Sequence, residues 1–363
     1  MIKWNGFERG MGIGGWLTNY KRFNCLPVNR RLDLTIGDWE HFRSYITERD
    51  VRNICELGMD HIRLGFDQIV VEQSPGVYRE EPLALIRSFV KWCEKYGLNV
   101  VLNLHKAIGN YCDIQEDVQL MDNAALQERF VALWAHLEDF LSDQPAVAFE
   151  LLNEVRDVPP QQWNMLAEKA VAAIRQKNPS RKIIIGSTCW NSVETLNQLK
   201  VYDDANIAYT FHTYAPFSFT HQRGVLQPQT LYYNREMPYP GDIAYYRDFE
   251  RVVNRNEKAY PEYDVMDRRY IADSLAPALD FMHQHPNQML WCGEFGTIRH
   301  CRLEWRENWM RDVILFLLEH DIPYCVWNYL STPNDGNRFS LVDDDNRKML
   351  SNRLGEIIKG NII

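Results

Sequence analysis

The feature that most constrains the fold of this chain is a regular alternation of short apolar segments with amphipathic helical segments. Eight segments are rich in apolar and β-branched residues, and most of them precede a stretch whose apolar positions have helical spacing. Because these segments are continuously apolar, they are typical of parallel strands that are covered on both faces. The predicted strands are 11–17, 61–66, 99–105, 147–154, 182–186, 207–214, 289–294 and 324–329.

The intervening segments predict helices near residues 47–57, 82–96, 123–142, 160–177, 191–200, 270–285, 303–320 and 346–359. Eight strands that alternate with eight helices predict an α/β fold of the (β/α)8 TIM barrel type. A doubly wound open sheet is the alternative. It is disfavoured because the glycine-rich segment 10–15 does not continue as G-x-G-x-x-G into a helix.

One long segment interrupts this alternation. Residues 215–269 are rich in tyrosine, phenylalanine, proline and arginine, and they show no clear strand–helix repeat. The segment is longer than an ordinary loop between a strand and a helix. We therefore predict a single domain over residues 1–363, with residues 215–269 forming a subdomain inserted between strand 6 and helix 6 on the C-terminal face of the barrel.

Charge and hydropathy exclude several classes of partner. The net charge is −9 and the basic residues are scattered, so we expect no binding to nucleic acid. No apolar segment approaches the roughly 20 residues that span a membrane, and the N-terminus lacks the pattern of a signal peptide. We predict a cytoplasmic protein without a membrane partner, as a monomer or a small homo-oligomer. A trimmed leader and release by a non-classical route are the alternatives for its location.

The sequence also lacks the common motifs of metal and cofactor sites. None of the eight cysteines belongs to a C-x-x-C pair, and we predict that they are free thiols. The zinc motif H-E-x-x-H and the hydrolase motif G-x-S-x-G do not occur. We therefore predict no cofactor and no metal.

Two of the predicted strands end in a glutamate, Glu154 and Glu294. A buried carboxylate without a partner costs several kcal/mol or more, so such residues have little structural use. Two carboxylates that converge on one cleft are the minimum equipment for cleaving a glycosidic bond. Glu150 lies on the same predicted strand face as Glu154, but about 13 Å deeper, which we expect to be too far from the mouth to act on substrate.

The remaining strand ends carry further polar or aromatic residues, and a barrel of this type assembles its active site there. Arg63 lies within an apolar strand and must find an anion, which we expect to be Glu294. His212 and Tyr214 are two residues apart and therefore point to the same side. A packing or ion-pair role remains the alternative for each position. The other candidates are Asn153, His105 and Trp327.

Aromatic residues could bind sugars, because a flat apolar ring matches the C–H face of a pyranose. Trp327, at the end of the last strand, is the candidate for the floor of a sugar site. Trp16, Trp190, Phe66 and the aromatic insert could supply further platforms along a groove, although each could equally belong to the core.

With these residues identified, the chain resembles glycoside hydrolase family 5, from about residue 10 to about residue 350. It is most similar to leaderless bacterial endoglucanases that carry an insert between strand 6 and helix 6. The motifs that carry the resemblance occur in the family's order and spacing. They are Ile62-Arg63-Leu64, Asn103-Leu104-His105, Leu151-Leu152-Asn153-Glu154, Phe211-His212-Thr213-Tyr214, Gly293-Glu294-Phe295-Gly296 and Val326-Trp327-Asn328.

The resemblance implies that Glu154 is the acid/base and Glu294 the nucleophile of a retaining glycosidase. It also implies a cis peptide after Trp327. Two positions depart from the common family pattern, Val155 in place of proline and Lys106 in place of histidine. The resemblance further implies that the remaining candidates contact the sugar or the nucleophile: Asn153 the 2-hydroxyl, His105 and His212 the sugar around the −1 subsite, Trp327 its face, and Arg63 and Tyr214 the nucleophile.

The substrate expected from the resemblance is a β-1,4-linked glucan, which includes cellulose-type polymers, mixed-linkage glucan and cello-oligosaccharides, cleaved internally. A β-mannanase and an exo-acting β-glucosidase are the nearest alternatives. Two alternatives belong to other classes. One is a non-catalytic carbohydrate-binding barrel, and the other is a metal-dependent isomerase or an aldolase, for which Lys106 is the candidate Schiff-base lysine.

Overall fold

The computed structural model describes residues 2–18, 39–111, 119–332 and 335–362. Eight parallel strands form a closed barrel in which the first strand pairs with both the second and the last. This arrangement confirms the predicted (β/α)8 barrel. The strands are β1 (Arg9–Leu17), β2 (His61–Asp67), β3 (Asn99–Lys106), β4 (Val147–Glu150), β5 (Ile183–Gly186), β6 (Ile207–Thr213), β7 (Met289–Phe295) and β8 (Tyr324–Val326).

Helices connect the strands, and the predicted order is preserved. The short 3-10 helix Val193–Gln198 takes the place of the α-helix predicted near 191–200. Its N-cap, Ser192, follows a turn of three left-handed residues at 189–191. The last predicted helix, near 346–359, is shorter than expected. The α-helices that follow the other strands are Glu48–Glu56, Glu80–Lys95, Ala124–Phe140, Pro160–Lys177, Arg268–Gln284, Leu303–Glu319 and Asn352–Ile358, and additional short helices are Trp39–Ser44 and Gln68–Val71.

Strand β4 is shorter than the predicted strand 147–154. It ends at Glu150, and the next two residues, Leu151 and Leu152, both pack into the apolar core outside the barrel. Two successive residues on the same side break the alternation of a strand. The chain therefore leaves the sheet before it reaches Asn153 and Glu154, and these two residues sit on a loop at the mouth of the barrel.

The barrel interior is filled in layers. At the N-terminal end, a small apolar cluster includes Trp4, Phe7, Val101 and Trp291. Above it, the buried guanidinium of Arg63 pairs with the buried carboxylate of Glu150. The N-terminal half is thus closed by apolar side chains together with the buried ring of His61, which contacts Phe7 and Trp291. The carboxylates that bind Arg63 lie towards the C-terminal end. This is where (β/α)8 barrels carry their active sites.

The segment 215–269 contains its own short elements. These are the helices Phe217–Thr220, Pro228–Tyr233 and Ile243–Phe249, a π-helical turn at Glu250–Asn254, and an antiparallel pair formed by Gly241–Asp242 and Val265–Met266. Tyr239 is buried and donates a hydrogen bond to Asp312 on the helix Leu303–Glu319 at 3.0 Å. The segment is therefore anchored to a barrel helix, while its status as a separate subdomain stays a prediction.

Two further sequence predictions concern the membrane and the cysteines. Among the described helices, none combines the length and the apolar character that crossing a bilayer requires. The six cysteines within the described ranges are free thiols, and four of them are buried. Cys25 and Cys112 lie outside the described residues.

Candidate active site

Arg63 is the centre of the hydrogen-bond network at the mouth of the barrel. It extends from β2 and is fully buried. Its Nε and Nη2 donate to the two carboxylate oxygens of Glu150 at 2.7 and 2.9 Å, and its Nη1 donates to Oε2 of Glu294 at 2.7 Å. Nη2 also donates to Oδ1 of Asn153 at 2.5 Å. Burial lowers the pKa of Arg63, but the two carboxylates outweigh it and raise that pKa above its ordinary value.

The carboxylate of Glu294 is held from two sides. Oε2 accepts the hydrogen bond from Arg63, and Oε1 accepts a hydrogen bond from the hydroxyl of Tyr214 at 2.6 Å. Burial, together with the adjacent Glu294, raises the pKa of Tyr214 well above its ordinary value, so that its hydroxyl remains a donor. These two hydrogen bonds fix the rotamer of a nearly buried carboxylate.

A bulge in β7 turns Glu294 into the barrel. Cys292 pairs with Phe211 of β6, but the next paired residue is Glu294, opposite His212, so two residues of β7 face one of β6. Regular alternation along a strand would place Cys292 and Glu294 on the same side, but the bulge separates them, and Cys292 packs in the outer core. Gly293 occupies the bulge, where an added Cβ would collide with the side chain of Thr210.

Glu154 is held by a chain of two hydrogen bonds. The Nδ2 of Asn191 lies 3.2 Å from Nε2 of His212, and Nδ1 of His212 lies 3.1 Å from Oε1 of Glu154. An amide nitrogen only donates, so Nε2 accepts and the ring hydrogen is on Nδ1, from which it is donated to Glu154. Burial lowers the pKa of His212 to about 4, so the ring is neutral near pH 7.

The two glutamates face each other across the mouth. Carboxylate oxygens of Glu154 and Glu294 lie within 4.8 Å of each other, and a nitrogen of His212 lies within the same distance of both. This spacing could also suit three metal ligands. However, both oxygens of Glu294 already accept hydrogen bonds, and the Arg63 guanidinium next to it repels a cation. The group is better suited to proton transfer than to metal binding.

On the opposite side of the mouth, Trp327 and His105 form a nearly parallel aromatic pair. Their ring centroids are 5.4 Å apart and the planes differ by 8°. Trp327 lies against β1, where a Cβ on Gly12 would be 2.7 Å from Cε3 of its ring and a Cβ on Gly14 would overlap the ring. Two glycines of β1 thus make room for the indole. The peptide bond between Trp327 and Asn328 is cis, as expected from the resemblance.

Comparison with known proteins gives the family of this chain. Residues 21–332 match the family model described as Cellulase (glycosyl hydrolase family 5). The chain belongs to glycosyl hydrolase family 5. Endoglucanase C of Acetivibrio thermocellus is 35% identical over 363 residues, which cover 97% of this chain and 98% of that protein. The resemblance predicted from the motifs is confirmed, and the chain is a glycoside hydrolase of the cellulase type. A non-catalytic barrel and a metal-dependent isomerase or aldolase are therefore set aside.

Two further similarities involve more distant proteins. Cellodextrinase A of Ruminococcus flavefaciens is 28% identical over 325 residues, covering 89% of this chain and 85% of that protein. Among solved structures, a hyperthermophilic endo-β-1,4-glucanase in complex with substrate superposes with a TM-score of 0.74 at 22% identity, covering 98% of this chain and 97% of that one. This last similarity concerns the fold.

Two of the aromatic residues predicted as sugar platforms, Trp16 and Phe66, lie in the core. Trp16 is fully buried, its Nε1 donates to the carbonyl of Phe42 at 2.6 Å, and its ring packs against Phe89. Phe66 is also fully buried and packs edge-on against Trp134. A substrate-binding role for Trp16 is therefore wrong, because the side chain points outward from the barrel into the layer of helices.

Trp190 is placed differently from these two. It belongs to the left-handed turn at 189–191, and its side chain is exposed at 42%, with the guanidinium of Arg156 over the ring at 5.5 Å. Its backbone nitrogen donates to the carbonyl of Val155 at 2.8 Å, directly after Glu154. The ring thus lies at the rim of the mouth, and its contact with substrate stays a prediction.

Lys106, which departs from the family pattern, is buried on β3 opposite Asp67 of β2. The two residues are paired in register at the ends of their strands. A buried ammonium is stable only beside an anion or acceptors, and Asp67 is a buried carboxylate at the neighbouring position. The register thus places the lysine beside a buried carboxylate at the rim between β2 and β3.

Two residues of the network were missed from the sequence. Glu150 was set aside as too deep, yet it binds the same guanidinium as Asn153 and Glu294. The sequence signal for this contact was an arginine within an apolar strand in a chain whose other strands carry several carboxylates. Asn191 carried no sequence signal. Its contact with His212 depends on the left-handed turn, with φ of 56°, which brings it to the end of β6.

Proposed function

We propose that the chain is a retaining endo-β-1,4-glucanase that acts by double displacement, with Glu154 as the acid/base and Glu294 as the nucleophile. The observation that carries this proposal is the approach of the two carboxylates to within 4.8 Å. Carboxyl groups about 5–5.5 Å apart are typical of retaining enzymes, whereas inverting enzymes separate them by about 6.5–9.5 Å to accommodate a water.

In the first step, Glu294 attacks the anomeric carbon while the glycosidic C–O bond breaks and Glu154 gives its proton to the leaving oxygen. The hydrogen bonds from Arg63 and Tyr214 hold the attacking carboxylate in one orientation, which favours the attack. The negative charge of Glu294 nearby favours the protonated form of Glu154 before this step.

In the second step, Glu154 is a carboxylate and takes a proton from water. The water oxygen bonds to the anomeric carbon, and the bond to Glu294 breaks. His212 donates to Oε1 of Glu154 through Nδ1 and remains neutral. Its hydrogen bond stabilises the charged form of Glu154 that exists between the two steps.

We propose that Trp327 stacks on the sugar at the reaction centre, with His105 beside it and Asn153 bound to the 2-hydroxyl. A tryptophan face matches the C–H face of a pyranose, and the ring is only partly buried. The names of the relatives, an endoglucanase and a cellodextrinase, support β-1,4-glucan as the substrate, either as polymer or as cello-oligosaccharide.

The stereochemistry of the product tests the mechanism. Proton NMR during hydrolysis of cellotetraose is expected to show the β-anomer first, and an initial α-anomer would contradict double displacement. With azide and an activated β-cellobioside, Glu154→Ala is expected to give the β-cellobiosyl azide and Glu294→Ala the α-azide. Normal turnover of unactivated β-glucan by Glu154→Gln would refute the assignment of the acid/base.

The choice of substrate needs a separate experiment. A panel of reduced cello- and manno-oligosaccharides is incubated with the enzyme and the product sizes are measured. Internal cleavage of the cello-series is expected. Release of single glucose units from one end would indicate an exo-β-glucosidase, and preference for the manno-series would indicate a mannanase. Cytoplasmic location and a monomeric or small oligomeric state stay predictions from the sequence.

A further inference from the structure

A turn of three consecutive left-handed residues follows β5 and lies next to the acid/base candidate. The φ angles of Cys189, Trp190 and Asn191 are 53°, 59° and 56°. A left-handed backbone is strained for residues other than glycine. Such strain persists only where the surroundings over-determine it, and it is concentrated at functional sites. Three such residues in a row therefore indicate that this turn has a specific role.

The turn is bound to the segment that carries Glu154. The backbone nitrogen of Trp190 donates to the carbonyl of Val155 at 2.8 Å, and that of Cys189 donates to the carbonyl of Arg156 at 3.2 Å. These two carbonyls belong to the residues that directly follow Glu154. Two backbone hydrogen bonds thus fix the position of the turn relative to the acid/base candidate.

The third residue of the turn, Asn191, directs its side chain to the end of β6. The side chain is fully buried, and Gly186 of β5 leaves room for it, because a Cβ on that glycine would collide with Oδ1 of Asn191. Nδ2 lies 3.2 Å from Nε2 of His212, whereas Oδ1 has no hydrogen-bond partner among the described residues. A buried acceptor without a partner is unfavourable. The amide is therefore placed for its contact with His212 and not for its own hydrogen bonding.

This amide decides which protonation state of His212 is stable. A donor at Nε2 disfavours a hydrogen on that nitrogen, so it opposes both the other neutral tautomer and the imidazolium. Besides Glu154, which accepts from Nδ1, the charged groups that act on the ring are Glu294 and Glu150, which favour the imidazolium, and Arg63, which opposes it. Burial opposes the charge most strongly. The stable ring is neutral and carries its hydrogen on Nδ1.

The state of His212 in turn sets which oxygen of Glu154 carries its hydrogen. Nδ1 donates to Oε1 of Glu154 at 3.1 Å, and an oxygen that accepts from a donor does not carry a hydrogen towards it. The carboxyl hydrogen of Glu154 is therefore on Oε2. A neutral ring also adds no positive charge, which would favour the carboxylate form of Glu154 before the first step.

We propose that Asn191 is a positioning residue for the acid/base and acts through His212. By donating to Nε2, it keeps the ring neutral with its hydrogen on Nδ1, and the transferable hydrogen of Glu154 is thereby confined to Oε2. The strained turn holds the amide at this point while it binds the segment of Glu154. This inference rests on the proposed function, in which Glu154 protonates the leaving oxygen.

The tautomer of His212 can be measured without turnover. Long-range proton–nitrogen NMR spectra of the isotope-labelled protein distinguish a ring nitrogen that carries hydrogen from one that does not, and the signals lost in His212→Gln identify this ring. At pH 7 the unmodified enzyme is expected to show hydrogen on Nδ1 and none on Nε2. Asn191→Asp replaces the donor with an acceptor, so both nitrogens are expected to carry hydrogen between two carboxylates. Hydrogen on Nε2 in the unmodified enzyme, or an unchanged spectrum in Asn191→Asp, would overturn the proposal.

Two substrates separate this role from a structural one. Cellotetraose has a leaving group that must be protonated, whereas β-cellobiosyl fluoride releases fluoride with little help from an acid. An imidazolium next to Glu154 favours the carboxylate form of that residue. Asn191→Asp is therefore expected to lower kcat/KM at pH 7 about tenfold for cellotetraose and by less than about twofold for the fluoride. Equal losses on the two substrates would overturn the proposal, because they indicate a structural role.

The matched control is Asn164→Asp, the same substitution at an amide outside the mouth. Nδ2 of Asn164 donates to the carbonyl of Gln198, and its Oδ1 accepts from the backbone nitrogen of Lys200, both at 2.9 Å. This variant is expected to leave the signals of His212 unchanged, and kcat/KM on both substrates should equal that of the unmodified enzyme.

A second variant keeps the test decisive if Asn191→Asp does not fold. Asn191→Gly removes the amide but keeps the left-handed turn, which glycine adopts without strain. It is expected to show hydrogen on Nε2 in part of the molecules and to lose more activity on cellotetraose than on the fluoride. A His212 spectrum identical to that of the unmodified enzyme would overturn the proposal. If the unmodified enzyme cleaves neither substrate, the proposed function itself fails, which is a different result from a wrong tautomer.

Discussion

The substitution Glu150→Gln tests whether the buried carboxylate beneath the active site stabilises the fold and keeps Arg63 and Glu294 in position. Glu150 and Arg63 are both fully buried, and two hydrogen bonds of 2.7 and 2.9 Å join them. Glutamine keeps one acceptor but removes the charge and turns a donor towards the guanidinium. Breaking one partner of a buried ion pair costs about 3–5 kcal/mol. Because Glu294 remains as a counter-ion, we expect a loss of about 3 kcal/mol in the free energy of unfolding.

Equilibrium unfolding in urea measures this loss, and kcat/KM on cellotetraose measures the effect on the site. A second buried pair, Arg181 with Glu138 at 2.6 Å, lies outside the active site. Glu138→Gln is therefore expected to lower stability to a similar extent while kcat/KM is retained at a temperature where both variants are folded. Glu150→Gln is expected to lower kcat/KM as well, because Arg63 no longer holds Glu294 in one position.

An exposed pair supplies the third comparison. Lys359 and Glu356 are joined at 2.8 Å on the surface, and exposed ion pairs contribute little to stability. Glu356→Gln should therefore unfold at the same urea concentration as the unmodified protein. The reasoning about Glu150 would be refuted if Glu150→Gln behaved like Glu356→Gln in stability, or if its kcat/KM matched that of Glu138→Gln.

Three further predictions follow from burial and packing. Burial lowers the pKa of His221 to about 3, below its unfolded value of about 6.5. The unfolded chain therefore binds a proton more readily, and the free energy of unfolding falls as the pH drops from 6.5 towards 3. Urea unfolding across this range should show a smaller decline for His221→Gln than for the unmodified protein. Gly14→Ala would displace the ring of Trp327 and is expected to lower kcat/KM by about a hundredfold. The control is Gly355→Ala, because its added Cβ would be 3.7 Å from the nearest atom. Its kcat/KM should match that of the unmodified enzyme. Trp16→Phe should lower the free energy of unfolding by about 2 kcal/mol, because it leaves a buried carbonyl without its donor. KM for cello-oligosaccharides should stay unchanged. A raised KM would support the predicted role of Trp16 as a sugar platform.

The predicted strands and their polar ends were largely correct because each depends on local sequence. An apolar strand buried on both faces has a recognisable composition, and a charged residue at its end needs a reason to be there. On this basis Arg63 was correctly expected beside Glu294. The period of a strand places His212 and Tyr214, at the end of β6, on the same side. Each side chain forms a hydrogen bond with one of the two glutamates.

The errors lie where one residue's direction depends on distant parts of the chain. Trp16 was a candidate platform by its type alone, and only the packing of Phe42 and Phe89 against it shows that it belongs to the core. Cys292 and Glu294 have the spacing of residues on one side of a strand, but the bulge in β7 separates them. A bulge is set by the register with the neighbouring strand, which a single sequence does not contain.

The sequence by itself determined the barrel and the presence of two glutamates at strand ends, because apolar pattern and strand period are local properties of the chain. Only the tertiary structure decided that β4 ends at Glu150, that Arg63 binds Glu150 as well as Glu294, and that Asn191 sets the tautomer of His212. These contacts join strands and turns far apart in the chain, and their geometry arises from closure of the barrel.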